Sequence, residues 1–330
     1  MRCLLIQDDK ADKSCAALNV HVGAALDPKP FFGLAHFLEH MLFMGTEKYP
    51  SENEYAEFIS NNGGYDNAWT NLTDTNYHFE CSNEAFGEAL DRFAQFFVCP
   101  LLGDSQTERE MKAVDSEYNM DLQSDTWRKI NLIQDIANEE STLHRFWDGN
   151  LESLKQEGIR ESLLNFHKTW YSSNIMDLVI SGNHSIEKLE SWAISLFSGV
   201  ENKNVAIPDF SKPRLPFDSA NLGQIVKYQP CKDKDTIDLY WNLPDYRSEF
   251  RADPLGYFEH LVGHEGENSL LSYLKQEDYA MELCAGGDFE LNCISDFTVQ
   301  ITLTKKGLAN HEKVVDAVFR YMQRLKEVGP

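Results

Sequence analysis

The stretch GLAHFLEHMLF, residues 33–43, contains the pattern His-x-x-Glu-His among apolar residues at helical spacing. His36 and His40 are four residues apart, so on a helix their imidazoles lie on one face, one turn apart. Two neutral imidazole nitrogens in that position can bind one metal ion. Glu39 lies beside them without being needed as a ligand, where a general base would be useful. The alternative is a chance coincidence of these side chains on a core helix, and the pattern alone does not decide between the two.

The composition is that of an acidic globular protein. The chain has 330 residues, of which 42% are hydrophobic and 25% are charged, and its length suggests about two domains. A formal net charge of -23 argues against nucleic acid and anionic membrane surfaces as partners and would favour neutral or basic peptides. No run of 18 apolar residues occurs, so no membrane span is expected.

The cysteines and the N-terminal residues indicate a compartment. Seven cysteines are scattered along the chain without a Cys-x-x-Cys pair, which predicts free thiols in a reducing environment. Residues 1–9 contain one basic residue and a very short apolar run, unlike a signal peptide. We therefore predict a cytoplasmic protein, with other compartments open if the natural N-terminus lies further upstream.

The first two-thirds of the chain mixes predicted strands and helices. Strands are predicted at residues 3–7 and 16–22, joined as a hairpin, and the motif helix is predicted from about residue 32 to Gly45. A capping box at residues 51–54 predicts the start of a second helix. Three further strands are predicted at residues 65–70, 76–81 and 175–181, and five further helices at residues 83–98, 108–122, 127–138, 159–171 and 186–198.

A polar, proline-containing segment separates this region from a similar pattern. Strands are then predicted at residues 224–228, 236–241, 282–285 and 297–304, and helices at residues 254–262, 268–276 and 313–326. We predict an α+β fold of two related modules, each a mainly antiparallel sheet packed with helices. The first module spans residues 1–207, a linker spans 208–219, and a second, incomplete module spans 220–330.

The histidine pair needs a third ligand, because a catalytic zinc ion normally takes three protein ligands and one water. The acidic helix predicted at residues 108–122 is the candidate source. Glu110 and Glu117 are seven residues apart and share a face that also carries Ala113 and Val114. A carboxylate facing a core needs a partner, which a dication would provide. The alternative is an ordinary solvated acidic face.

At this point the chain resembles the N-terminal part of the pitrilysin (inverzincin, M16) family of zinc metalloproteases, in its insulin-degrading branch. The resemblance is carried by GLAHFLEHMLFMG at 33–45, KYPSENE at 48–54, ALDRFAQFFVCP at 89–100 and REMKAVDSE at 109–117. GVENKNV at 199–205 and GHEGENSLLSYLK at 263–275 extend it over nearly the whole chain. It implies a fold of repeated modules and a zinc-dependent endopeptidase acting on short or partly unfolded peptides.

The resemblance also assigns the catalytic roles. It implies that His36, His40 and Glu117 bind one zinc ion per chain and that Glu110 supports the site as a nearby carboxylate. Glu39 is implied to be the general base for a zinc-activated water. These assignments decide between the alternatives that the residues alone left open.

The resemblance implies substrate contacts in three regions. Backbone groups of an edge strand would bind the peptide, which explains broad sequence tolerance; its residues are Asn67, Ala68, Trp69 and Thr70. Phe43 and Trp127 match aromatic positions near the cleavage pocket, with ordinary core packing as the alternative for each. His264, Gly286 and Gly287 fall in an exosite that holds the peptide N-terminus. A metal site at His260 and His264 is disfavoured, because glycines interrupt the helix there.

Two functional interpretations remain open from the sequence. In the family, an Arg and a Tyr from the C-terminal half stabilise the oxyanion, and this chain contains no matching half. We therefore expect a C-terminal half-chain or a second copy as a partner. The first interpretation is a zinc endopeptidase, and the alternative is a catalytically incomplete fragment acting as a peptide-binding or partner-dependent module. A processing-peptidase subunit is disfavoured, because those lack the GVENKNV-like match.

Overall fold

A computed structural model describes residues 1–210, 216–219, 222–244, 246, 249–287 and 295–329. Its internal contacts form two units, the first made of residues 1–122 and 142–209, the second of residues 123–141 and 210–330. The predicted limits of the modules stay a prediction, and residues 211–215 of the predicted linker lie outside the described residues. The sequence pattern did not predict that residues 123–141 group with the second unit.

The described strands and helices follow in chain order. The strands are β1 Arg2–Gln7, β2 Lys13–Val20, β3 Tyr65–Thr70, β4 Thr75–Ser82, β5 Met176–Gly182, β6 Thr236–Leu243, β7 Ala280–Gly286 and β8 Ser295–Leu303. The helices are α1 Leu34–Leu42, α2 Glu54–Asn61, α3 Phe86–Val98, α4 Asp104–Asp121, α5 Asp125–Ile136, α6 Leu151–Leu154, α7 Ile159–Trp170, α8 Ile186–Phe197, α9 Pro254–Val262, α10 Leu270–Gln276, α11 Lys305–Ala309 and α12 His311–Val328.

The sheet of the first unit has the strand order β1-β5-β2-β4-β3, with β1 and β5 parallel and the other pairs antiparallel. The hairpin predicted for the first two strands is therefore wrong, because β5 lies between them. Strand β5 buries alternate residues and pairs along both edges, so its backbone groups are hydrogen-bonded on both sides. The short turn between β1 and β2 therefore could not predict that both strands pair with β5, which lies far away in the chain.

One face of this sheet carries the core of the first unit. Strands β2 and β4 alternate buried and partly exposed residues, as a strand with one covered face should. Leu18 and Tyr77 are fully buried there. The aromatic face of α3 packs among these residues, with the Phe93 ring 5.1 Å from that of Phe79 between centroids. Helix α1 also contacts β3 and β4, which places it against this sheet.

The capping box predicted at the start of the second helix is wrong. Helix α2 begins at Glu54, and its N-cap residue, Asn53, makes no side-chain capping bond. The Glu54 carboxylate accepts a hydrogen bond from Arg92 Nε at 2.7 Å instead of turning back to the helix start. A charged partner on α3 thus competes successfully for the side chain that the capping box requires.

The sheet of the second unit has the order β6-β8-β7, and both pairs are antiparallel. Its core contains Val299 and Ile301 of β8 with residues of α10 and α12, among them Leu274 and Val314. The strand predicted at residues 224–228 is wrong: these residues have no regular structure, and Ile225 is 84% exposed. Alternating apolar residues do not form a strand where their side chains are not buried against a core.

The α+β prediction is confirmed, with two modules that each pack a mainly antiparallel sheet against helices. The parallel β1–β5 pair makes the first sheet mixed. None of the described helices is both long and apolar enough to cross a membrane.

Candidate metal centre

Helix α1 starts on a buried carboxylate. Asp27 Oδ2 accepts hydrogen bonds from the backbone amides of Gly33 at 2.7 Å and Leu34 at 3.1 Å. Its Oδ1 accepts from the Ala35 amide at 2.9 Å. These amides have no partner within the helix, so one side chain satisfies three of them. Asp27 lies too far before the helix for the N-cap pattern, and the sequence analysis missed it.

The three predicted ligands come together. The rings of His36 and His40 lie 4.9 Å apart between centroids on one side of α1. Glu117 of α4 reaches them from the neighbouring helix, with Oε2 at 3.8 Å from His36 Nε2 and 3.3 Å from His40 Nε2. All three donor atoms lie within 4.8 Å of one another, and no other such group of three forms within the described parts of the chain. These residues could therefore hold one metal ion.

The second nitrogen of each imidazole also has a partner. His36 Nδ1 lies 2.5 Å from the backbone carbonyl of Asp148, which can only accept a hydrogen bond. The proton of a neutral His36 is therefore on Nδ1, and Nε2 keeps its lone pair. His40 Nδ1 lies 3.4 Å from Glu110 Oε2. Such outer partners orient imidazole ligands and raise their basicity. Glu110 thus reaches the site, as an outer partner of a ligand.

The two imidazoles differ in their protonation. Burial lowers the pKa of His36, which keeps this ring neutral. Desolvation also lowers the pKa of His40, but hydrogen bonds to Glu110 and Glu117 outweigh it and raise the pKa to about 9. A proton therefore occupies His40 at neutral pH without metal, and a bound cation would replace that proton.

Glu39 lies beside the ligands but outside their cluster. Its side chain is buried, with 7% of the residue exposed, and Oε2 accepts a 2.5 Å hydrogen bond from Thr70 Oγ1. Burial raises the pKa of Glu39 to about 7, although the Thr70 hydroxyl acts in the opposite direction. A carboxylate with a pKa near neutrality can both take and return a proton.

The predicted peptide-binding strand is β3, an edge strand of the first sheet. Asn67 and Trp69 are exposed, whereas Ala68 and Thr70 are half-buried. The roles of these residues in binding a peptide stay predictions. The structure adds a contact for Thr70, the hydrogen bond to Glu39, which sequence reasoning missed because it joins two elements without any spacing pattern.

Of the other predicted substrate residues, Phe43 belongs to the first unit and the rest belong to the second. Phe43 follows α1 and packs against aromatic rings, the closest being Phe96 at 5.1 Å between centroids, as the core-packing alternative expects. Trp127 lies on α5, in the second unit. The exosite residues belong to the second unit as well. His264 is exposed after the end of α9, Gly286 ends β7, and the Gly287 amide donates to Glu259 Oε1 at 2.7 Å. All these substrate roles stay predictions.

Two family profiles cover most of the chain. Residues 2–140 match the family described as Insulinase (Peptidase family M16). Residues 158–330 match the family described as Peptidase M16 inactive domain. The first match contains the histidine pair, Glu110 and Glu117 of α4, and Glu39.

Individual proteins of this family also resemble the chain. The insulin-degrading enzyme of Bos taurus is 42% identical over 336 residues, which include all of this chain and 33% of that enzyme. The A-factor-processing enzyme of Saccharomyces cerevisiae is 40% identical over all of this chain and 32% of its own length. The crystal structure of pitrilysin matches 99% of this chain with a TM-score of 0.93 and 32% identity, over 35% of that chain. The chain therefore spans about a third of the length of these proteins.

Proposed function

The chain belongs to peptidase family M16, and we propose that it is a zinc-dependent endopeptidase module of the insulin-degrading type that hydrolyses short or partly unfolded peptides. The observation that carries this proposal is the cluster of His36, His40 and Glu117 with Glu39 beside it. A purely structural cluster would not need a buried carboxylate that is left out of the ligand set.

The donor set fits zinc. Two imidazole nitrogens and one carboxylate oxygen, with a fourth position open, form the ligand set of several catalytic zinc sites. Zinc–ligand bonds of about 2.0 Å in tetrahedral geometry separate the donor atoms by roughly 3.3 Å. The His40–Glu117 separation is 3.3 Å and the His36–Glu117 separation is 3.8 Å, both close to that value.

The chain's own residues would divide the work of hydrolysis. A zinc ion held by His36, His40 and Glu117 would lower the pKa of a water to about 7 and polarise the scissile carbonyl. Glu39 takes one proton from the attacking water and gives it to the leaving amine as the peptide C–N bond breaks. The Thr70 hydroxyl holds Glu39 Oε2, so the other carboxylate oxygen is available for this transfer. Glu110 keeps His40 oriented through Nδ1.

A peptide backbone is the substrate that the first sheet would accept. Strand β3 is an edge strand, so one row of its backbone groups is available to pair with an added strand. Pairing through the main chain of Asn67, Ala68, Trp69 and Thr70 would accept many sequences. The names of two relatives, insulin-degrading and A-factor-processing, support peptides as substrates.

A second function has one observation in its favour. Hydrolysis of a peptide bond needs oxyanion donors in addition to a metal ion. The chain spans about a third of the length of its relatives. We propose that a C-terminal half or a second copy supplies such donors. Without that partner the module would bind peptides and not cleave them.

Zinc content and cleavage of a quenched peptide separate the two functions. We expect one zinc ion per chain in the wild type and in Glu39→Gln, with cleavage at least about 100-fold slower in the variant, because the general base is lost. Glu108→Gln, an exposed change on α4, is the matched control and should cleave at the wild-type rate. If the wild type binds one zinc ion but cleaves no faster than Glu39→Gln, the endopeptidase proposal fails for this chain and the peptide-binding function stands.

A further inference from the structure

The start of α1 and the loop before α6 touch backbone to backbone. A Cβ atom built on Gly33 would lie 2.2 Å from Gly149 Cα, 2.5 Å from Gly149 N and 3.1 Å from the carbonyl carbon of Asp148. Both glycines have positive φ angles, +84° for Gly33 and +78° for Gly149. The atoms in contact belong to the main chain, so no side chain can rotate away to make room. Only glycine fits at Gly33 while this loop keeps its place.

This contact lies next to a metal ligand. The carbonyl of Asp148, the residue before Gly149, accepts the hydrogen bond from His36 Nδ1 at 2.5 Å. His36 itself is in the first turn of α1, which Asp27 fixes through three amides. Arg145, from the same segment as Asp148, donates to the Asp27 carbonyl at 3.1 Å. The segment is therefore tied to the helix start at three successive points.

We propose that the Gly33–Gly149 contact positions the metal centre by holding the Asp148 carbonyl against His36 Nδ1, which keeps Nε2 unprotonated for a metal ion. The inference rests on the proposed zinc site and adds a positioning role for a backbone contact outside it. The acting group is a main-chain carbonyl, so the role depends on where the loop lies.

The chemistry gives the contact a measurable consequence. A neutral imidazole carries one N–H, and a carbonyl oxygen can only accept it. If the loop moved away, the proton could transfer to Nε2, where the Glu117 carboxylate, 3.8 Å away, would attract it. Zinc would then have to displace that proton before His36 could bind, and its affinity would fall.

The first experiment reads the tautomer directly. Long-range proton–nitrogen NMR spectra of the zinc-free protein, labelled with ¹⁵N-histidine, report which ring nitrogen carries the proton. His36→Gln identifies the His36 signals. We expect the Nδ1–H form of His36 in the wild type and a mixture of both forms in Gly33→Ala. A wild-type protein with His36 in the Nε2–H form would overturn the inference, whether or not the variant folds.

The second experiment measures zinc affinity by competition with a chelator. We expect Gly33→Ala to bind zinc about 10- to 100-fold more weakly than the wild type, the range for losing a partner of a metal ligand. Gly158→Ala is the matched control, because Gly158 precedes α7 with a φ of +83° and has nothing within 4 Å of its Cβ position. It carries the same backbone strain without the contact and should keep the wild-type affinity.

The outcomes separate this inference from the proposed function. If the wild type binds no zinc, the proposed metal centre fails and the positioning role fails with it. If the wild type binds zinc and Gly33→Ala matches Gly158→Ala in both affinity and tautomer, the positioning role fails while the metal centre stands. A loss of affinity confined to Gly33→Ala, together with a shifted tautomer, supports the positioning role.

Discussion

Two histidine pairs with the same spacing have different surroundings in the two units. His36 and His40 lie in the first unit, and His260 and His264 lie in the second. The ring centroids are 4.9 Å apart in the first pair and 5.7 Å apart in the second. The side chains of His36 and His40 are 17% and 23% exposed, whereas the second pair is exposed to solvent.

The helices explain the difference. Helix α1 continues past His40 to Leu42, so both imidazoles stay in register on one face. Helix α9 ends at Val262, so His264 lies beyond its last turn. Helix α4 brings Glu117 to the first pair, and the described residues hold no comparable third ligand at the second pair. The spacing of two histidines thus indicates a metal site only where one helix carries both and another element supplies the third ligand.

The largest expected effect comes from removing a ligand of the first pair. His40→Ala should lower zinc affinity by more than about 100-fold, the upper end for losing only a supporting group. His264→Ala should leave the affinity unchanged, because the part of the chain that the structure describes places no third ligand near it. Titration of each zinc-free protein with zinc, read by calorimetry, checks both. An equal loss in the two variants would remove the distinction between the pairs.

Zinc should also stabilise the fold through the first pair alone. A ligand at 100 times its Kd adds about 2.7 kcal/mol to the free energy of unfolding. We therefore expect EDTA to lower the Tm of the wild type and of His264→Ala, but not that of His40→Ala. Thermal unfolding of the three proteins with and without EDTA measures this difference. A chelator effect that persists in His40→Ala would place the stabilising metal elsewhere.

The starts of helices in the two units sharpen the same contrast. Asp27→Ala removes the acceptor for three amides at the start of α1. It should lower the free energy of unfolding by about 2 kcal/mol or more, the upper end for a helix cap. Ser269→Ala, at the start of α10, removes an acceptor for one amide and should cost about 1 kcal/mol. Chemical unfolding of the full chain compares them. An equal loss of unfolding free energy in the two variants would mean that the three hydrogen bonds to Asp27 do not add to one another.

The smallest effect concerns the outer partner of His40. Glu110→Gln should weaken zinc binding by about tenfold, because a neutral amide makes the imidazole a poorer electron donor than a carboxylate does. Glu108→Gln, exposed on the same helix, should bind zinc like the wild type. The same zinc titration reads both. A matching loss in the two variants would point to the overall charge of α4 as the cause.

Several features of the fold could be predicted because their causes are local. The predicted limits of α9, Pro254–Val262, and of β3, Tyr65–Thr70, agree with the structure. In α9 the apolar residues repeat with the helical period, and β3 is bounded by Asn62-Gly63-Gly64 before it and by a turn after it. The predictions that failed needed information from elsewhere: β5 separates β1 from β2, and Arg92 of α3 holds the Glu54 side chain.

The sequence by itself determined that His36 and His40 face the same side of one helix, because residues four apart on a helix share a face. The tertiary structure decided how these groups are held. The Asp148 carbonyl meets His36 across 112 residues of chain, and Thr70 meets Glu39 across 31. The tautomer of an imidazole and the pKa of a carboxylate depend on the donors, acceptors and burial around them. Folding brings those neighbours from distant segments, so no spacing within the motif could have predicted them.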